Sequence, residues 1–339
     1  MEHHLGKKMK KILDSEYFEG IISLEHGDGW VSPWRIPYQE KQLHHPGVVG
    51  RAGIPSGVRI RFETEARDVG LKCLRTDQNR LFDLTGDERI IDTAVLPAGQ
   101  EEVWFKGIEE GKKVLEIWLP MDQGVQIESL ETKEADFFPS PDSRKRWLHY
   151  GSSISQCAAA FSPARTWPGT AARFGGVNLT SMGFGGNCHL EPLVAKIIRD
   201  ARTDGISLKI GINIQGGSSL GERVFIPFFI GMVDRIREKH PDIPIAVISP
   251  IFCSYREDQP NILGVTLKKI RSWLREGVER IIQVTGDRNI RYFSGLDLLG
   301  PEEQDLLPDR LHPNGTGYEL MGKRFHEKIF PFVSGEAQE

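Results

Sequence analysis

The sequence predicts an α/β fold: a five-stranded parallel sheet flanked by helices, preceded by an antiparallel β-sandwich domain. Three observations predict it. Residues 20–134 carry short period-two runs broken by Gly, Asp and Pro, the pattern of half-buried antiparallel strands. After Arg146, strand-like runs alternate with helical patterns, and that alternation builds a parallel sheet covered on both faces. Between the two regions, "KEADFFPSPDSRKR" holds two prolines and a cluster of bases and reads as a linker. The domains are expected at residues 1–140 and 146–335, a comfortable division of 339 residues.

In the first domain, "GVRIRFETEA" places Val58, Ile60 and Phe62 on one face and Arg59, Arg61 and Glu63 on the other. "KKVLEIWLPMDQGVQIESLE" supplies two more strand-like runs separated by "MDQG", and no helix of useful length is evident. In the second domain the expected strands are "RWLHYGSS", "VNLTSMG", "ISLKIGIN", "IPIAVISPIF" and "IRYFSGL". Helices are expected over 190–202, 222–239, 265–280 and 318–330.

Composition narrows the function classes. The chain is 39% hydrophobic with 17 Phe and 7 Trp, enough for sizeable cores. A net charge of −4 with no long basic run points away from nucleic acid. No stretch of about 18 apolar residues is present to span a membrane. "MEHHLGKKMKKILDSEYFEG" has lysines but no apolar core of signal-peptide length. Cys73, Cys157, Cys188 and Cys253 form no CxxC pair, which fits a reducing, cytoplasmic setting. No zinc spacing and no cofactor motif stands out; "QGGSSLGER" lacks the Gly-Lys-Ser/Thr of a phosphate cradle and reads as a flexible loop able to border a pocket.

In parallel sheets the chemistry gathers at the carboxyl ends of the strands. Four such ends here carry, in order, Ser152-Ser153, "GFGGNCHLEP", Asn213 and "DRLHPNGTGY". A serine hydrolase needs that set: a hydroxyl nucleophile, an imidazole to take its proton, a carboxylate to hold the imidazole, and donors for the oxyanion. In Asp309-x-x-His312 a single turn brings the carboxylate to Nδ1 and leaves Nε2 for Ser153. Pro313 stiffens the next residue, and Thr316 is placed to cap the closing helix. Gly186 permits a close backbone approach to developing negative charge.

These blocks resemble the SGNH superfamily of GDSL-type esterases and lipases, a flavodoxin-like fold. "YGSSIS", "GFGGNCHLEP", "GIN" and "DRLHPNGTGY" match its blocks in order over residues 150–330. The resemblance implies Ser153, His312 and Asp309 as the catalytic triad, with the Ser153 N–H, Gly186 and Asn213 as the oxyanion hole. The leading β half is similar to the subgroup with an N-terminal jelly-roll domain. Two positions depart from the pattern. Ser152 replaces the usual Asp before the nucleophile, and Ile214 the Asp that often follows the third-block Asn; neither change removes a catalytic role.

Other residues near these loops have plainer readings. His149 and His189 are expected to support or line the pocket, and Cys157 and Cys188 to pack in the core. Trp30, Trp34 and Arg35 are read either as core or as a sugar-stacking face. The expected activity is hydrolysis of a small acyl ester, such as an acetylated sugar or metabolite, with a homo-oligomer allowed. Two alternatives stand: an acyltransferase using the same triad, and a carbohydrate-binding protein on an inactive scaffold.

Overall fold

The computed structural model describes residues 8–11 and 13–336; the first seven residues of the expected first domain lie outside them. Residues 8–139 form two antiparallel six-stranded sheets. One runs Ser23–His26, Val31–Trp34, Ile127–Lys133, Val69–Cys73 and Glu102–Phe105, with Lys8–Lys11 also on Ile127–Lys133. The other runs Phe137–Pro139, Arg59–Thr64, Lys113–Trp118, Arg80–Gly86 and Arg89–Leu96, with Phe18–Glu19 on Arg59–Thr64. The inward faces meet in one core: Val58, Ile60 and Phe62 are fully buried with Leu71, Phe82, Ile117 and Leu130. Two sequence expectations are corrected here. Part of the expected linker is the strand Phe137–Pro139, which completes the second sheet, since Phe137 packs on Tyr17 and Phe62. A seven-residue helix, Pro46–Ala52, also stands in this domain, opened by Pro46 and capped by the His45 ring.

The second domain is a parallel sheet in the spatial order Asn178–Gly183, Arg146–Gly151, Gly205–Lys209, Ile245–Ile248, Ile290–Phe293. The chain runs outward in both directions from Arg146–Gly151. A crevice therefore opens at the carboxyl ends of that strand and of Gly205–Lys209. The helices Pro192–Asp200, Glu222–Arg237, Leu267–Thr285 and Gly315–Lys328 cover the faces near their expected positions. Trp167–Phe174 is a further helix that the sequence reading lacked. It is short and starts Trp-Pro-Gly, with Thr166 as its cap. Among the described residues no helix is long and apolar enough to cross a membrane.

The polar face of Arg59–Thr64 does not simply meet water. Asn178–Gly183 is an edge strand, and an edge leaves a row of carbonyls unpaired. The sandwich domain covers that row with two buried arginines. Arg59 donates to the Leu179 carbonyl (2.6 Å) and to Asn178 Oδ1 (2.6 Å). Arg35 donates to the carbonyls of Ser181 (3.1 Å) and Gly183 (2.9 Å), and to that of Arg51 (2.6 Å). Gly20 and Gly57, at φ +80° and +84°, let the two backbones approach; a Cβ on either would lie 2.8 Å from Leu179 O or Ser181 Cβ. Arg35 is therefore an interdomain clamp, which removes it from any sugar-stacking face.

Candidate active site

The strand Arg146–Gly151 ends in Ser152, whose hydroxyl accepts from Ile154 N–H (3.3 Å) and caps the short helix Ser153–Gln156. The residue in the usual Asp position thus acts as a helix cap. Ser153 follows it, half-buried and lining a cavity of about 690 Å³. Its Oγ is 2.9 Å from His312 Nε2. His312 Nδ1 is 2.6 Å from Asp309 Oδ2.

The turn that carries Asp309 is built for this contact. Asp309 Oδ1 accepts from the backbone N–H groups of Leu311 (2.9 Å) and His312 (2.6 Å). Arg310 between them is left-handed, at φ +64°, a strain of about 1–2 kcal/mol for a residue with a side chain. Burial alone would raise the Asp309 carboxyl. The hydrogen bonds from His312 and Leu311 outweigh it and hold the group at about 2. The carboxylate is therefore ionised at any working pH, although its side chain is 54% exposed. The closing helix is capped by Asn314, which accepts from Gly317 N–H (2.9 Å). Thr316 was the expected cap; it lies inside the helix instead, because the turn ends two residues earlier.

Gly186 and Asn213 reach the same cavity. Gly186 sits at φ +73°, open only to glycine without strain. The Gly185 N–H before it donates to Gln156 Oε1 (3.1 Å), which ties this loop to the serine helix. Asn213 Oδ1 accepts from Cys188 N–H (3.1 Å), leaving Nδ2 as the end of the amide free for the cavity. Asn213 stands near the start of the helix Ile212–Gly217, whose cap Gly211 has φ +119°. Part of "QGGSSLGER" belongs to this helix and is not a loop; Gly216 and Gly217 do line the cavity. Ile214 is buried in the core. The arrangement can attack a carbonyl from Ser153, remove the serine proton through His312 and meet the oxyanion with N–H donors.

The two other histidines separate. His189 lies beside the site, its Nε2 3.0 Å from the Gly186 carbonyl and its Nδ1 2.7 Å from Ser219 Oγ. His149 is not a pocket residue. It is fully buried beneath the serine helix, between Ser207 Oγ (2.8 Å) and Ser155 Oγ (2.7 Å), because side chains alternate faces along a strand. Burial, helped by the charge of Lys209, pushes its ring down to about 3. The unfolded chain's imidazole takes its proton near 6.5. The folded value lies below the unfolded one, so the neutral ring's contribution is complete above about pH 6.5. It is lost as pH falls toward 3, at about 1.4 kcal/mol per pH unit. Urea unfolding at pH 7 and pH 5 should show that extra slope in the wild type and not in His149→Gln; equal slopes would contradict it. Cys157 and Cys188 are buried, and burial raises both thiols. Among the described residues no group of His, Cys, Asp and Glu is placed to hold a metal ion.

The sequence reading missed Arg51, Gln156 and Arg256, which also line the cavity. Gln156 directly follows the quoted "YGSSIS" and could have been found by its spacing from Ser153. The two arginines carry no local motif.

Comparison with known proteins fits this fold. Residues 144–330 match the GDSL-like lipase/acylhydrolase family, and residues 16–125 match the N-terminal domain of SsfX3. The chain belongs to the GDSL-like lipase/acylhydrolase family, with an SsfX3-type β domain in front. Among solved structures, the salicylyl-acyltransferase SsfX3 from a tetracycline biosynthetic pathway is 29% identical. It covers 97% of this chain and 98% of its own, with a TM-score of 0.88. A Bacteroides ovatus protein ascribed to the GDSL-like lipases is 20% identical (96% and 98% covered, TM-score 0.77). A family two carbohydrate esterase from Cellvibrio japonicus is 12% identical (97% and 99%, TM-score 0.66). The last two show the fold alone. Comparison with curated proteins finds no match.

Proposed function

We propose that this protein is a serine-dependent acyl-ester enzyme that forms an acyl-enzyme on Ser153. The observation that carries the reading is the continuous line Ser153 Oγ, His312 Nε2, His312 Nδ1, Asp309 Oδ2, with contacts of 2.9 and 2.6 Å, along the lining of a cavity. Ser153 Oγ attacks the ester carbonyl carbon and its proton passes to His312 Nε2. The carbonyl oxygen takes the negative charge, met by the N–H groups of Ser153 and Gly186 and by Asn213 Nδ2. The carbon–oxygen bond to the alcohol then breaks, and the leaving oxygen takes the proton from the imidazolium. Water enters, gives a proton to His312 and attacks the acyl carbon. The acid departs as Ser153 regains its proton.

The first reading is hydrolysis of a small acyl ester, carbohydrate esters included, as the carbohydrate esterases of the same fold suggest. A second reading is favoured by one observation: the likeness to a salicylyl-acyltransferase runs over both domains. In that reading an acceptor alcohol replaces water in the last step. The triad is common to both, and the difference lies in which nucleophile the cleft admits. Product analysis of a small aryl acetate, with and without added alcohols and acetyl-accepting sugars, separates them. Free acetate in every mixture is the hydrolase result, and transfer outrunning acetate release is the acyltransferase result. The absence of any turnover would contradict both.

A further inference from the structure

The cavity holds more positive charge than the triad needs. Arg51 and Arg256 both line it, and Asp309 is the single carboxylate among its lining residues. Asp309 is committed to His312. The acids nearest Arg256 in sequence are taken as well: Glu257 by Arg271 (2.5 Å), and Asp258 by Lys268 (2.6 Å). Among the described residues neither Arg51 nor Arg256 has a carboxylate at ion-pair distance. A guanidinium stays charged at any working pH. Two of them facing a cleft with low-dielectric walls focus a positive field into it.

The backbone of Arg51 and the side chain of Arg256 are both anchored. Arg51 comes from the sandwich domain, in the last turn of Pro46–Ala52. Its carbonyl is gripped by buried Arg35, which also grips the strand leading into the Gly185–Gly186 loop. A Cβ built on Gly185 would lie 3.5 Å from Arg51 Nε and 3.5 Å from Ser153 Cβ. The Arg51 side chain and Ser153 thus border the same small space beside Gly185. Arg256 lies over the bare backbone of Gly216, on the helix that carries Asn213. It is steadied by its neighbour Tyr255, whose ring centroid is 5.1 Å away. The two charges therefore flank the two oxyanion loops, one from each domain.

From this arrangement we propose that the ester this protein acts on carries an anionic group, a carboxylate or phosphate, bound between Arg51 and Arg256. Planar guanidinium forks match such groups bidentately. The proposal rests on Ser153 being the acylated residue and extends that reading to the charge of the substrate. The anion belongs either to the acyl part or to the leaving alcohol, and the two arms of the test distinguish them.

The test compares kcat/KM for matched ester pairs. In the acyl arm, mono-para-nitrophenyl adipate is set against para-nitrophenyl hexanoate. In the alcohol arm, para-acetoxybenzoate is set against its methyl ester. Each variant is normalised to its own rate on the neutral ester, so a general loss of fold cancels. In one arm the anionic-to-neutral ratio should fall about 10- to 100-fold in Arg51→Ala and in Arg256→Ala, the range for losing a hydrogen bond to a charged group. Arg51→Lys should recover part of it. Ratios unmoved in both arms would overturn the anion site while leaving the acyl-enzyme reading intact. If no ester is turned over, calorimetric titration of Ser153→Ala with the same anionic esters decides the site on its own. Tight binding that weakens about tenfold when Arg51 or Arg256 is also removed supports it, and binding indifferent to both overturns it.

Discussion

Ser153→Ala is expected to lower kcat by on the order of 10⁶-fold, as loss of the nucleophile does in other serine hydrolases. The change deletes the one atom that bonds to the acyl group. Ser153 Oγ contacts His312 across the cavity and supports no core packing. The cap of its helix is Ser152 and the turn closes through Cys157 N–H to Ser153 O, both untouched. The fold should therefore survive, and circular dichroism of the variant should overlay the wild type. A residual rate of about 10³–10⁴ over water should remain, because the oxyanion donors still work without a nucleophile. Steady-state kinetics on a chromogenic acetate ester measure it. A variant that keeps most of its activity would move the nucleophile elsewhere, Ser152 being the nearest hydroxyl. That serine is fully buried and occupied as a cap.

Asp309→Asn is the second large effect. Asparagine keeps Oδ1 for the N–H groups of Leu311 and His312, so the turn holds. It replaces Oδ2, the acceptor 2.6 Å from Nδ1, with a donor. The ring then loses the partner that fixes its tautomer and the charge that stabilises its protonated form. In serine hydrolases this swap costs about 10⁴ in kcat. Here the carboxylate side chain is 54% exposed, and water screens part of its charge, so the loss is expected between about 10² and 10⁴. The loss should fall in kcat with little change in KM, since Asp309 acts through His312 on the transition state.

Much of this site is legible in the sequence because its parts are local. Asp309 and His312 are three residues apart, and an Asx turn alone joins them. Ser153 and Asn213 follow strands whose apolar runs are plain, and parallel pairing sets both at the same edge of the sheet. The fold class is legible for the same reason, since periods of two and 3.6 survive in single segments. What escaped depends on distant partners. Trp167–Phe174 is too short and too rich in Trp, Pro and Gly to show a helical period, and it forms because it packs on the closing helix. Phe137–Pro139 looks like linker until Phe62 and Tyr17 are placed beside it. Arg35 and Arg59 read as ordinary polar residues. Their role exists only once an edge strand more than 100 residues later in the chain presents its carbonyls. Arg51 enters the cavity from the other domain, which no spacing in the second domain can announce.

The central claim is that Ser153, His312 and Asp309 act as one unit, and a double-mutant cycle on kcat/KM tests it most directly. Ser153→Ala, Asp309→Asn and the double variant are compared with the wild type on one chromogenic ester, each checked for folding by circular dichroism. The account predicts strong non-additivity: once Ser153 is alanine, adding Asp309→Asn changes the residual rate little. If the two losses instead multiply, Asp309 acts independently of Ser153, and the line from carboxylate to hydroxyl is a structural turn beside a nucleophile it does not serve.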